Sequence, residues 1–440
     1  MGRHLYSTLL YFLSPLVWKL VWREQLPRHS RAERLGWIEK ANDKPVVWVH
    51  AASVGEVTTA APVIRNLVND NPDYQVVVTT MTATGGERVM ALFGDEVSHH
   101  FVALDFPHAT RRMVRSLDPS LLVIIETELW PNLIHAAADH QVPIVMVNGR
   151  ISERSFRRYA RFQILVRDML ERINWVAVKS GEDGKRFRAL GMGAKSITVT
   201  GPLKYDVVVP PEAVTAGQTL REQIGARPVW VAASVREGEE ESVLEAHQAV
   251  LEQHPNALLI LVPRHPQRFD EVALHCESRF GVLSIARRSL NERIDPTVSV
   301  YVGDTMGELM TLYASADIAF VGGSLVPVGG HNLLEPAALG LPVISGPHLA
   351  NITEVAEEMS AHDALQKVEN GDELGAVVNT LLASPEQLKV RGDAAFDVVE
   401  RNRGAAERIR EHLLTMVHPL SAEAYSAQQQ QFSSRQQHEQ

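Results

Sequence analysis

One pattern constrains this chain more than any other: beyond residue 44, short β-branched runs alternate with stretches of helical length. Runs that are apolar almost throughout suit strands buried on both faces, so the alternation predicts an α/β chain of parallel sheets covered by helices. The first set reads VVWVH (46–50), QVVVTT (75–80), LLVIIE (121–126), PIVMVN (143–148), WVAV (175–178) and ITVT (197–200). After the polar stretch PPEAVTAGQTL (210–220) a second set follows: PVWVAA (228–233), ALLILV (257–262), VSVYV (298–302), DIAFV (317–321) and LPVIS (341–345). At 440 residues and 45% hydrophobic content the chain fills two cores. The expected division is a hydrophobic segment at 1–24, a first domain at 34–206, a linker at 207–225 and a second domain at 226–395. A helical segment at 396–418 and a disordered, Gln-rich tail at 419–440 complete it.

Charge and cysteine content exclude several classes. Cys276 is the single cysteine, so no intrachain disulfide forms, and no spaced Cys/His cluster reads as a metal site. A net charge of −10 argues against a protein that coats nucleic acid. The N-terminus is nevertheless basic, with Arg3, Lys19, Arg23, Arg28, Arg31, Arg34 and Lys40 against Glu24, Glu33 and Glu39. From Leu5 to Trp22 runs LYSTLLYFLSPLVWKLVW, close to the roughly 20 apolar residues that a span requires. No small-residue cleavage site follows it. It is read as a retained anchor, interfacial or single-span, with Trp18 and Trp22 at the headgroup level; a helix packed on the domain is the alternative.

Ligands of open α/β sheets sit at the carboxyl ends of strands, and neither set opens with the G-x-G-x-x-G of dinucleotide oxidoreductases. VVWVH runs into His50-Ala51-Ala52-Ser53-Val54-Gly55-Glu56, where Ser53 and Glu56 satisfy the S-x-x-E capping box. Glu56 is therefore either a helix cap or, at a strand end facing an interdomain cleft, a general base for an acceptor hydroxyl. LLVIIE leads to Glu126, Glu128 and Trp130, which suit contact with a polyhydroxyl sugar, support for the neighbouring base, or an E-x-E metal site lacking a third ligand. Pro263-Arg264-His265 offers a guanidinium and an imidazole to an anion, or is a solvated loop. The segment DIAFVGGSLVPVGGHNLLEPAALGLPVISGP (317–347) exposes glycine amides and opens a helix at His331-Asn332-Leu333-Leu334-Glu335 that suits a phosphate, with Glu335 placed for ribose hydroxyls.

That assembly resembles the nucleotide-sugar site of GT-B glycosyltransferases, with two facing Rossmann-like domains. HAASVGE, ETELWPN, TGPLKYD (200–206), VREGEEE (235–241), PRHP (263–266), DTMGEL (304–309) and GGSLVPVGGHNLLEPAALGLPV narrow it. Together they look like the 3-deoxy-D-manno-octulosonic acid (Kdo) transferases of lipid A and lipopolysaccharide assembly, from the N-terminal anchor to about residue 415. The resemblance implies an inverting transfer of Kdo from CMP-Kdo to the lipid A precursor, lipid IVA, on the cytoplasmic side of the inner membrane. It implies Glu56 as catalytic base, and CMP held by Pro263, Arg264 and His265, by Met306, Gly307 and Glu308, and by Asn332, Leu333, Leu334 and Glu335. Ser53, Gly55, Glu126, Glu128 and Lys204 would lie nearer sugar and acceptor. With one departing phosphate and no D-x-D triplet, no metal or other cofactor is expected.

Where the family often shows a T-H-E-G-E-like stretch, this chain reads Ser234-Val235-Arg236-Glu237-Gly238-Glu239, so no histidine role carries over to Arg236. The phosphorylated lipid and an anionic membrane surface suit the basic N-terminus and residues 150–172. In the latter, Arg150, Arg154, Arg157, Arg158, Arg161, Arg167 and Arg172 outnumber Glu153, Asp168 and Glu171. Two rivals share the architecture: a non-hydrolysing sugar-nucleotide epimerase, which needs neither anchor nor basic face, and a nucleotide-sugar-binding adaptor, which has no use for a base.

Overall fold

The computed structural model describes residues 2–23, 29–39, 44–70 and 74–417. The tail expected at 419–440, Arg28, Lys40 and the side chain of Trp22 lie outside the described residues. The chain divides into two compact units, residues 1–206 with 403–440, and residues 207–402.

The first unit holds a seven-stranded, wholly parallel sheet: β1 (Val46–His50), β2 (Gln75–Thr80), β3 (Ser98–Phe101), β4 (Pro119–Ile125), β5 (Ile144–Gly149), β6 (Trp175–Val178) and β7 (Ile197–Val199). Its order is β3-β2-β1-β4-β5-β6-β7, so the winding reverses between β1 and β4. The second unit repeats the plan with β8 (Val229–Val235), β9 (Leu258–Pro263), β10 (Ile285–Arg287), β11 (Val300–Val302), β12 (Ile318–Val321), β13 (Val343–Ser345) and β14 (Leu365–Lys367). There the order is β10-β11-β9-β8-β12-β13-β14, with the reversal between β8 and β12. Both are Rossmann-like doubly wound sheets, and in each the reversal leaves a crevice at the carboxyl ends of the two central strands.

Successive side chains of a strand point to opposite faces, which is why the central strands are apolar at nearly every position. Val46 and Trp48 join the core on one face of the first sheet, and Val47 and Val49 the core on the other. In the second unit Trp230 and Ala232 face one core and Val229, Val231 and Ala233 the other. Three edge or near-edge strands, β3, β10 and β14, have no long apolar run and were not expected from the sequence.

Three expectations need correction. The segment at 5–22 is not one span: it breaks at Leu13 into helices Gly2–Phe12 and Ser14–Arg23, each roughly 16 Å long against a ~30 Å hydrocarbon core. No helix among the described residues is long and apolar enough to cross a membrane. Leu10, Val17 and Trp18 pack on the first unit's core. The Ser7 hydroxyl donates to Asn132 Oδ1 at 3.0 Å, and Leu5, Leu9, Phe12 and Leu16 face outward. Residues 207–225 are not a linker either. They form the helix Pro211–Ile224, whose Leu220 and Ile224 enter the second core and whose Arg221 grips Asp317 at 3.0 and 3.1 Å. Finally, 396–418 is two pieces. Helix Pro385–Asn402 stays with the second unit, Gly404 turns the chain at φ 95°, and helix Ala405–Val417 returns to the first unit, where Ala405, Ile409 and Leu413 fill its core. The Asp206 carboxylate fixes that return by accepting from the amides of Gly404 and Ala406, each at 2.6 Å.

Candidate functional site

In the first unit the crevice between β1 and β4 gathers three carboxylates. Ser53 starts the helix Val54–Asp70, and its Oγ accepts the Glu56 amide at 3.4 Å while its hydroxyl donates to Glu56 Oε1 at 2.9 Å. Glu56 Oε2 accepts from the Ala52 amide at 2.7 Å. Glu56 thus caps the helix, yet a cap alone does not describe it. Burial pushes its pKa up from 4.5 to about 7 against the pull of Ala52 and Ser53, and Glu128 and Glu126 across the crevice add to the rise. A carboxyl that titrates near neutrality at a strand edge has the property of a general base.

Glu126 follows β4 with φ 58°, a left-handed conformation uncommon for a side-chain-bearing residue. Glu128 Oε2 accepts from the Trp130 indole at 2.6 Å, and Trp130 meets the fully buried His50 edge to face at 5.2 Å. His50 is held neutral by burial, its pKa lowered to about 4. Glu126 and Glu128 do not belong to the group of three potential metal ligands found among the described residues. Gly55 is exposed at the start of the helix. Lys204 lies in the turn Leu203–Tyr205, which the Leu203 amide ties to Asn148 Oδ1 of β5 at 3.4 Å.

In the second unit four adjacent strands contribute to one edge. Arg236 follows β8, Pro263-Arg264-His265 closes β9, Met306-Gly307-Glu308 follows β11, and Gly322 to Glu335 follows β12. The Arg264 amide donates to Val235 O at 2.9 Å, and the Arg236 guanidinium contacts His265 Nε2. His265 is held below its usual pKa by desolvation and by Arg236, Arg264 and Arg268. His331 is lowered to about 4 by burial, with Arg264 and Arg236 adding to it, and its buried Nε2 has no hydrogen-bond partner. The nearby carboxylates are engaged elsewhere: Glu237 and Glu240 hold Arg268, each at 3.1 Å. Two guanidiniums and two imidazoles thus converge where an anion would sit.

Glu239 organises that edge. Fully buried, its Oε2 accepts from the amides of Arg236 (2.8 Å) and Gly323 (2.6 Å), and its Oε1 from those of Ser324 and Leu325 (both 2.8 Å). Gly323, at φ 68°, leaves room for His331; a Cβ there would lie 2.7 Å from His331 Cδ2. Glu308 is held bidentately by Arg288 at 2.6 and 3.1 Å, so its side chain shapes the loop while Met306 stands exposed. Leu333 and Leu334 are buried as whole residues, so they fix the loop rather than face solvent. Asn332 donates to Glu335 Oε1 at 3.1 Å and accepts the Leu334 amide at 3.1 Å.

Sequence reasoning assigned no role to Arg236, Glu239, Arg288 or His331. The strand-end rule could have found Arg236, which directly follows β8. The others depend on partners 20 or more residues away.

Residues 29–207 match the family model described as 3-deoxy-D-manno-octulosonic-acid transferase (kdotransferase). The chain is 40% identical over 418 residues to a protein of Haemophilus influenzae named 3-deoxy-D-manno-octulosonic acid transferase, covering 93% of this chain and 97% of the relative. A protein of the same name from Bordetella pertussis is 36% identical over 426 residues, covering 93% and 98%. Among solved structures, UDP-GlcNAc 2-epimerase from Neisseria meningitidis shares the fold at a TM-score of 0.55 and 14% identity, over 84% of this chain and 100% of that one. At that identity the likeness is one of fold alone. The match to the transferases, in contrast, covers 93% of the chain and so spans both units, and the chain belongs to the 3-deoxy-D-manno-octulosonic acid transferase family.

Proposed function

We propose that this chain transfers Kdo from CMP-Kdo to lipid IVA in one inverting displacement. Glu56 takes the proton of the acceptor hydroxyl as that oxygen bonds to the anomeric carbon, and the bond to the phosphate breaks with its electron pair leaving on CMP. The observation that carries this reading is the half-buried Glu56 carboxyl, raised to about 7 by burial, at the topological reversal of its sheet. The guanidiniums of Arg236 and Arg264 and the imidazole of His265 hold the nucleotide and take up the charge of the leaving phosphate, so no metal is needed at the bond that breaks. Glu126, Glu128 and Lys204 serve the sugar and the acceptor.

The acceptor is a lipid, and the first unit offers it a surface. Leu5, Leu9, Phe12, Leu16, Phe162 and Ile164 are exposed, and Gly2 packs against Leu165, which joins the two apolar stretches. The arginines of 150–172 surround the second stretch, and a mostly apolar cavity of about 360 Å³, with Trp130, Arg158, Tyr159 and Phe162 in its wall, opens beside it. Exposed apolar area rimmed by positive charge fits the cytoplasmic face of an anionic inner membrane.

The test is CMP release by wild type and Glu56→Gln with CMP-Kdo and lipid IVA, as initial rates with EDTA added at the start. Wild-type turnover with a folded, CMP-binding but nearly inactive variant supports the reading; equal rates leave Glu56 as a cap and turn the search to Glu126 and Glu128.

A further inference from the structure

We propose that His29, Glu33 and His100 form a site for a borderline divalent transition metal of the zinc class, which clips the segment before β1 to the edge of the first sheet. One ligand atom from each lies within 4.8 Å of the others. His29 Nδ1 is 2.9 Å from Glu33 Oε1, and His100 Nδ1 is 3.6 Å from the same oxygen. Ligand bonds of about 2.0–2.2 Å in a tetrahedral shell set neighbouring ligand atoms roughly 3.4 Å apart, between these two values.

Two features leave a place for an ion in the group. His100 Nδ1 is buried without a hydrogen-bond partner, although it points at a carboxylate oxygen. Glu33 Oε2 is occupied by the Phe101 amide at 2.7 Å, which leaves Oε1 for an ion. The tautomers agree. The Thr80 hydroxyl donates to Thr82 O at 3.2 Å, so it accepts from His99 Nε2 at 3.0 Å. His99 Nδ1, left as an acceptor, receives Nε2–H of His29 at 3.1 Å, and the lone pair of His29 Nδ1 then faces Glu33 Oε1. In neutral His29 two lone pairs lie 2.9 Å apart, a gap that a metal ion closes in place of the Nδ1 proton of an imidazolium. His99 would act as the outer partner that metal-bound imidazoles ordinarily have. Two imidazoles and one carboxylate suit zinc and its neighbours rather than calcium or magnesium, which take oxygen shells. A cavity of about 330 Å³ lined by His29, Gly86, Glu87, Met90, His99 and Phe101 reaches the cluster on its His29 side.

The role is structural. Arg34, next to Glu33, donates to Met81 O at 2.5 Å and Val102 O at 3.1 Å, so an ion at Glu33 secures the whole turn Arg31–Leu35 against β2 and β3. It is independent of the metal-free transfer proposed at Glu56.

The full chain, stripped with chelator and dialysed, is titrated with ZnCl2 by calorimetry and with CoCl2 by visible absorption. One equivalent should bind, raise the unfolding temperature and, for cobalt, give four-coordinate d–d bands. His29→Gln and His100→Gln should each weaken zinc binding roughly 100-fold or more, and His99→Gln by about 10- to 100-fold, with unchanged far-UV circular dichroism. Absence of stoichiometric binding to the stripped wild type, or folded variants that bind as wild type does, would overturn the proposal. Should a variant fail to fold, the wild-type stoichiometry and cobalt spectrum decide alone. Loss of transfer in Glu56→Gln bears on neither.

Discussion

Glu239→Gln tests how the glycine-rich loop after β12 is held. The carboxylate is fully buried and its two oxygens receive four backbone N–H groups, from Arg236, Gly323, Ser324 and Leu325. An amide side chain keeps one oxygen and two of those bonds, whichever way it flips, and turns an NH2 toward the other two donors. Two hydrogen bonds to a charged group are lost, each worth about 1.5–3 kcal/mol, and two buried N–H groups are left facing a donor. A cost of at least ~3 kcal/mol follows. For a unit of this size that lowers the midpoint of unfolding by about 6–12 °C. Differential scanning calorimetry reads the shift, and titration with CMP reads whether the loop after β12 keeps its form. A midpoint within about 2 °C of wild type, with CMP affinity unchanged, would refute the idea that this carboxylate organises the loop.

The remaining predictions follow from the same geometry. With Glu56 titrating near 7, kcat/KM should climb with pH along a limb that levels off there, and in Glu56→Gln the residual rate, lower by roughly 10²–10⁴-fold, should have no such limb; an unchanged profile would remove Glu56 as base. Because burial makes the folded state hold this proton more tightly than the unfolded chain does, the group's contribution to stability declines as pH rises from about 4.5 to about 7 and is flat above. Urea unfolding across that window should lose this slope in the Gln variant. Leu9→Asp with Phe12→Asp should release the protein from anionic vesicles, since each side chain can bury on the order of 1.5–3 kcal/mol of apolar surface; undiminished co-sedimentation would discard the membrane face. Arg157→Glu with Arg158→Glu should raise the KM for the lipid acceptor about tenfold or more at low salt and leave that for CMP-Kdo alone; an unchanged acceptor KM would end the case for this basic stretch. Gly323→Ala forces a Cβ to 2.7 Å from His331 in a left-handed backbone, and should weaken CMP binding; wild-type affinity would show that the loop is not held in this form.

Much of the fold was legible because the central strands are buried on both faces and so read as unbroken apolar runs. Strands β3, β10 and β14 escaped for the converse reason: SHHF, IAR and LQK sit at or near sheet edges, where nothing demands an apolar residue at every position. The helix 211–224 was hidden by its composition, since Pro, Gly and Thr suggested a linker, whereas Gly217 serves a close approach to Ala314. His29 and His99 are 70 residues apart in sequence and 3.1 Å apart in space, a proximity that spacing rules for metal ligands do not register.

The two site glutamates show where sequence reasoning stops. Glu56 follows Ser53 by three residues and Glu239 follows Arg236 by three, and each carboxylate bonds back into the turn at the start of its helix. As local pattern both are acidic residues that bond back three residues at a helix start. A carboxylate has about four lone-pair positions, and what distinguishes the two is how many are filled. Glu239 fills all four with backbone amides, three of them from a loop more than 80 residues away, and has none left for a substrate proton. Glu56 fills two, with the Ala52 amide and the Ser53 hydroxyl, and sits across from two further carboxylates that favour its protonated form. One is a fixed anion that shapes a binding loop, and the other retains both the room and the proton affinity that base catalysis requires. The difference lies in long-range partners, which is why a candidate base can be told from an anchor only once the sheets have brought those partners to the strand ends.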